Sequence, residues 1–228
     1  MKPTLIVCGH GPGISDAVAR KFGKEGYNVA IVARNVERLS AAAAKLKEAG
    51  VEAKAFPCNL ADAEAVKALV KDVRAAFGPI SAIHWNVYTF GAGDLTTAPL
   101  DELRMVVDVA CNGMIVATQA ALADLKETKG ALLVTGGGFA FYDANIDAMA
   151  VQFGAMGLAI GKAAQHKAVG LLATKLKPEG VYVGEVVVLG MVKGTAFDHG
   201  NATLEASSIA DKFWELNQNR TETSVNFG

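Results

Sequence analysis

The sequence predicts an α/β domain: a three-layer, doubly wound parallel sheet with helices on both faces. Three observations carry that expectation. Short apolar runs alternate with longer segments of helical period along the whole chain. The runs are apolar throughout rather than at every second residue, as strands buried on both faces are. A glycine-rich loop stands at the first junction between a run and a helix, where such sheets bind phosphates.

The elements follow in order. "TLIVC" (4–8) is brief, apolar and bounded by glycine, so it reads as a strand. "ISDAVARKFGKEG" (14–26) places Ile14, Val18 and Phe22 on one helical face and stops at Gly26. "NVAIVA" (28–33) is a second strand, and 35–50 is a helix with a glycine stop. "EAKAF" (52–56) is a third strand. The helix over 62–78 has Asp62 as its N-cap. "ISAIHWN" (80–86) is a fourth strand. A helix over 101–128, a strand at 131–135, a mostly helical stretch over 147–177 and a strand at 181–189 come next. A last helix (207–219) and an edge strand (222–227) end the chain. Segment 136–147, "GGGFAFYDANID", is the longest stretch expected to be irregular. Right-handed crossovers leave the doubly wound Rossmann fold as the default topology.

Bulk numbers narrow the function classes. The 228 residues suit one domain spanning 1–228, and 51% apolar content supplies a core. A net charge of −1 gives no reason to expect a nucleic-acid partner. Cys8, Cys58 and Cys111 are far apart and odd in number, which fits neither a disulfide framework nor a metal site. The apolar run before Gly9 is short for a signal segment. No run reaches the roughly 18 apolar residues of a membrane span. These features lead us to expect a soluble cytoplasmic protein with no membrane partner and no metal.

The loop "GHGPGIS" carries Gly9, Gly11 and Gly13 between the first strand and the first helix. Glycines there allow a tight turn and let backbone N–H groups reach a pyrophosphate. A plain glycine turn is the other reading, but the second strand at the right distance favours a dinucleotide. That strand ends at Ala33–Arg34. NAD sites usually carry an acid here for the ribose hydroxyl, whereas arginine suits a 2′-phosphate. NADP(H) is therefore favoured over NAD(H), against the alternative of a solvated arginine opening a helix. The same arginine disfavours a methyltransferase.

With these residues in view, the chain resembles the short-chain dehydrogenase/reductase family over essentially its whole length. "GHGPGIS" is similar to the family's TGxxxGxG loop, with Cys8 for the threonine and Ser15 for the last glycine. "CNL" (58–60) matches the adenine-contacting segment, with Asn59 for its acid. "HWNVY" (84–88) matches NNAG with only Asn86 kept. "KLKPEGVYVGEVVVLGMVKGT" (175–195) resembles the helix end, sixth strand and PGxxxT loop, with Leu189 for the proline. The resemblance implies cofactor contacts from Gly9, His10, Gly11, Gly13, Ile14, Arg34, Asn59, Leu60, Asn86, Lys162 and Thr195.

The family's catalysis uses a YxxxK pair, a serine and an asparagine. Counting back from "KPEG", Lys162 falls on the lysine, which implies that it holds the nicotinamide ribose. Leu158 falls on the tyrosine, and leucine neither transfers a proton nor donates a hydrogen bond. The serine position falls on a glycine within Gly136–Gly138, with Thr135 the nearest hydroxyl. The asparagine position falls on Ala110, and Asn112 lies two places late. A general acid is worth about 10²–10⁴ in rate and an oxyanion donor about 10²–10³, so ordinary tyrosine-dependent turnover is not expected. Tyr142 and Tyr88 are the candidate stand-ins, each weighed against the role of a lining aromatic. His84 and His166 read as structural or exposed. His10 assists a phosphate or merely fills the turn.

Ala150, Gly154, Gly157 and Gly161 are spaced four, three and four apart, as a small-residue stripe on one helix face would be. The resemblance implies a two-fold interface there, in a homodimer or homotetramer. Packing on the chain's own sheet is the other reading. Two functions stay open: an oxidoreductase with a remodelled site, acting on a small carbonyl or alcohol, and a non-catalytic NADP(H)-binding sensor or partner subunit.

Overall fold

The computed structural model describes residues 2–195, 198 and 200–228. Seven strands form one sheet in the order β3-β2-β1-β4-β5-β6-β7. They are β1 (Thr4–Cys8), β2 (Asn28–Ala33), β3 (Ala53–Pro57), β4 (Ile80–Trp85), β5 (Ala131–Gly137), β6 (Tyr182–Val188) and β7 (Ser224–Phe227). Every pairing is parallel. Parallel strands need crossovers, and helices supply every one of them: α1 (Ile14–Lys24), α2 (Val36–Glu48), α3 (Ala63–Phe77), α4 (Leu100–Val107), α5 (Gly113–Glu127), α6 (Ala144–Gln152), α7 (Met156–Leu176) and α8 (Ala206–Asn219).

Each face of the sheet has its own core. On one face Val66 and Val70 of α3, Met114 and Ala117 of α5, and Val169 of α7 pack on Ile6, Ile83 and Leu132. On the other face Val18 and Phe22 of α1, Leu39 and Leu46 of α2, and Phe213 of α8 pack on Leu5, Ile31 and Leu133. The inner strands β1 and β2 read as apolar runs because both of their faces are covered, whereas the edge strands β3 and β7 are partly exposed. Helix starts follow the sequence as well. Asp62 accepts from Glu64 N at 2.9 Å to cap α3, and Asn35 accepts from Arg38 N at 2.8 Å to cap α2.

Four expectations are corrected. The segment 136–147 is mostly ordered: β5 runs on to Gly137, a 3₁₀ turn covers Gly138–Ala140, and α6 starts at Ala144. Asp143 caps α6 by accepting from Asn145 N at 2.9 Å, a start signal that sits inside the glycine-led stretch. The helical stretch 147–177 breaks at Gly154, whose φ of +59° ends α6 before α7 begins.

That break also divides the small-residue stripe, so Ala150 and Gly154 do not share a helix with Gly157 and Gly161. The two glycines of α7 serve close approach within the chain. A Cβ on Gly157 would strike the Gly91 carbonyl, and one on Gly161 would lie 3.1 Å from Ala110 and Val106. Last, the helix over 101–128 contains a π turn at Asp108–Asn112 between α4 and α5. The run Leu100–Glu127 has a mean hydropathy of 1.5 and is long and apolar enough by those measures to cross a membrane. Here it is a core helix, with Met114, Ala117, Ala121 and Leu125 in the interior.

Candidate active site

The chain reverses its direction of winding at β1, which pairs with β2 on one side and β4 on the other. A crevice opens at the carboxyl ends of strands on either side of such a point, and the glycine loop lies there. Gly9 N and His10 N both donate to Val32 O, at 3.0 and 2.8 Å, which pins the loop to β2. Gly9 has φ +79° and Gly13 φ +94°, conformations that favour glycine. Ser15, in place of the motif's last glycine, donates to Gly9 O at 2.9 Å and accepts from Asn86 Nδ2 at 2.8 Å. Asn86 thereby ties the end of β4 to the loop.

Helix α1 has Gly13 as its N-cap and no side chain capping it, so its first N–H groups are free of a side-chain cap. A Cβ on Gly11 would meet nothing within 4 Å, while one on Gly13 would stand 2.6 Å from Thr195 Cγ2. An open cradle, an uncapped helix start and a wall formed by Thr195 fit a dinucleotide pyrophosphate. Ile14 is buried beneath the loop. The His10 ring is buried, with Nε2 3.6 Å from Asp16 Oδ1. His10 and Arg20 hold the Asp16 carboxyl below its usual range.

Arg34 is exposed at the end of β2 and makes no hydrogen bond or ion pair among the described residues. Asn35, not Arg34, caps the helix that follows. Asn59 is exposed with Oδ1 accepting from Ala61 N at 3.3 Å, and Leu60 is buried behind it. These residues stand after β2 and β3, at the edge of the crevice where an adenosine would lie.

Lys162 is the centre of the other end. It is buried on α7, and Nζ donates to Thr135 O at 2.7 Å and to Gln165 Oε1 at 3.0 Å. Gln165 in turn donates to Ala110 O at 2.8 Å, and Trp85 Nε1 donates to the same carbonyl at 3.2 Å. The π turn supplies that carbonyl, since a wider helical turn loosens the regular backbone ladder. Burial pushes the Lys162 ammonium down to about 8, against the opposing pull of the Glu185 carboxylate. His84 accepts from or donates to Thr135 Oγ1 at 3.0 Å on the far side of the sheet. Burial, then the charge of Lys162, pushes that imidazole down to about 3.

Leu158 lies one turn before Lys162 and is buried. Gly137 faces the Lys162 stem: a Cβ there would stand 4.0 Å from Cδ and Cε, which is ordinary contact. Asn112 does not reach Lys162; it donates to Asp108 Oδ1 at 2.7 Å on the surface. Tyr142 is fully exposed, so it does not share the buried surroundings of Lys162. Tyr88 is half-buried, with its ring edge-on to Phe90 at 5.5 Å, and burial raises its phenol above the usual range. Of the segment 190–208, expected to shape a substrate pocket, residues 196, 197 and 199 lie outside the described residues. Among the described residues no cluster of His, Cys, Asp and Glu is placed to hold a metal ion. Gln165 and Glu185 were missed by sequence reasoning. A lone glutamate inside an apolar strand was the available signal.

A family model described as short chain dehydrogenase matches residues 3–205. The chain belongs to that family. Among curated members, 3-oxoacyl-[acyl-carrier-protein] reductase of Staphylococcus aureus is 30% identical over 135 residues, 58% of this chain and 55% of the relative. A putative ketoacyl reductase of Streptomyces coelicolor is 36% identical over 119 residues, 51% of this chain and 45% of the relative. The matched stretch thus spans about half the length of these curated relatives. A short chain dehydrogenase from Burkholderia cenocepacia, solved with NADP, is 26% identical with a TM-score of 0.83, covering 99% of this chain and 96% of that one. Actinorhodin polyketide ketoreductase, solved with NADPH, is 21% identical with a TM-score of 0.85, covering 99% and 95%. This chain and the two solved structures share the doubly wound short-chain dehydrogenase fold.

Proposed function

We propose that this protein is an NADP(H)-dependent oxidoreductase with a remodelled acid–base site, acting on a small carbonyl or alcohol. The observation that carries the reading is Lys162, buried beside β5 at the site's centre, with leucine one turn earlier where the family has tyrosine. The glycine cradle, the uncapped start of α1 and the Thr195 wall would hold the pyrophosphate. Arg34, exposed and unengaged, would take the 2′-phosphate, and Asn59 and Leu60 would flank the adenine. NADP and NADPH in the related structures support that cofactor choice. Lys162 would hold the nicotinamide ribose. The bound cofactor supplies or accepts a hydride.

The residues around Lys162 position the ribose and exclude water, and the proton comes from Tyr88 or from solvent. Tyr142 would have to move inward to serve. One homodimer or homotetramer of a single cytoplasmic domain completes the proposal.

A second reading has its own support. Leu158, a glycine within Gly136–Gly138 and Ala110 stand where the resemblance implies the proton donor, the hydroxyl and the asparagine, which suits a non-catalytic NADP(H)-binding sensor or partner subunit. Calorimetry is expected to give NADPH binding in preference to NADH, and binding of neither sinks both readings. A panel of ketones and aldehydes followed by NADPH absorbance separates them. Turnover supports the oxidoreductase, and its survival in Tyr88→Phe and Tyr142→Phe removes both tyrosines as donors. Binding without turnover across the panel favours the sensor.

A further inference from the structure

Strand β6, "YVGEVVV", is interrupted by one charge, Glu185. The residue is fully buried, and a buried carboxylate is costly unless it is partnered. Two groups meet one of its oxygens: His166 Nδ1 of α7 lies 2.5 Å from Oε2, and the Ser224 hydroxyl of β7 donates to it at 3.1 Å. The other oxygen, Oε1, is buried with no hydrogen bond among the described residues. It lies against Gly136 of β5, where a Cβ would stand 2.5 Å away.

The next residue along β5, Gly137, faces the stem of Lys162. Lys162 and Glu185 therefore border consecutive glycines, and Lys162 and His166 are one turn apart on α7. The two acceptors of Lys162, Thr135 O and Gln165 Oε1, are both neutral. A buried ammonium with neutral partners alone lacks a counter-charge. Around Glu185, α7 contributes Lys162 and His166, β7 contributes Ser224, and β5 contributes only glycine. His84, also sensitive to Lys162, contacts Phe213 on the other face of the sheet.

We propose that Glu185 is a positioning residue for Lys162: its carboxylate supplies the counter-charge that keeps the buried ammonium in place, and His166 and Ser224 fix the direction of that carboxylate. The proposal rests on the reading of Lys162 as the cofactor clamp and deepens it. Glu185 touches neither cofactor nor substrate in this role. Gly136 leaves room for the carboxylate, which explains why a strand end needs a glycine at that place.

The test uses the full chain labelled with ¹³C-lysine. The Lys162 resonance is assigned by its loss in Lys162→Arg, and its titration is followed without cofactor. The wild-type midpoint is expected near 8. The Glu185 charge raises that midpoint, so Glu185→Gln lowers it, by about one pH unit. At pH 8 the NADPH dissociation constant of Glu185→Gln then rises about five-fold. Glu185→Asp recovers part of both changes. An unchanged Lys162 midpoint in folded Glu185→Gln overturns the proposal. If that variant does not fold, Glu185→Asp decides: a midpoint equal to wild type overturns it, and a lower one supports it. Failure of the wild type to bind NADPH would count against the proposed function, while the cofactor-free titration still decides the role of Glu185.

Discussion

On the proposed function, Leu158 and the glycines after Thr135 are the residues that decide whether the site turns over. Gly137 has room for a small side chain, since a Cβ there meets the Lys162 stem at 4.0 Å, an ordinary contact. The double variant Leu158→Tyr with Gly137→Ser is expected to raise NADPH-dependent reduction of a small β-keto ester by about 10²-fold or more over wild type. Equal rates in the two proteins would mean that the acid step is not what limits this site. Arg34 is the second residue of consequence. With no protein partner to lose, Arg34→Ala should leave stability unchanged. It should weaken NADPH binding by about ten- to a hundred-fold while barely altering NADH, read by calorimetry. A parallel loss for both cofactors would remove the 2′-phosphate role. Arg34 and Lys162 were legible in the sequence because each has a fixed place relative to an element boundary. The burial of the His10 ring on Asp16 was not, since the spacing says only that the two lie near the same helix start.

Among the elements, α7 shows how differently one residue type is used along a single helix. Gly157 and Gly161 press against the chain around Gly91, Val106 and Ala110, whereas Gly170 is exposed with nothing within 4 Å of a Cβ. Glycine inside a helix ordinarily costs about 1 kcal/mol relative to alanine. Gly170→Ala is therefore expected to stabilise the protein by about 0.5–1 kcal/mol. Gly157→Ala is expected to destabilise it by about 1–3 kcal/mol, since overpacking outweighs propensity. Urea melts of the two variants give the comparison, and stabilisation in both would refute the close approach. The strands were readable because each is short, apolar and closed by a turn. The break at Gly154 and the π turn were not, because both answer to distant partners: just past the break Gly157 N donates to Ala92 O, and Ala110 O serves Trp85 and Gln165. Local pattern holds no record of such contacts.

At the scale of the whole molecule, the sheet order and the two cores follow from the alternation of runs and helices, which is why the fold was legible throughout. The network joining Lys162, Gln165 and Ala110 was not, because it links three elements that meet only when the sheet is complete. The same holds for the cofactor cleft. One wall, the loop at Gly9–Gly13, comes from the start of the chain, and the facing wall at Thr195 comes from beyond β6. On a ribosome the first wall emerges early and waits for most of the chain to follow. A nascent chain ending before β6 would carry the glycine turn but no cleft to close over a pyrophosphate. On the proposed function, NADPH is thus a ligand only for a chain that already extends to Thr195, and translation itself sets when the cofactor can first be held.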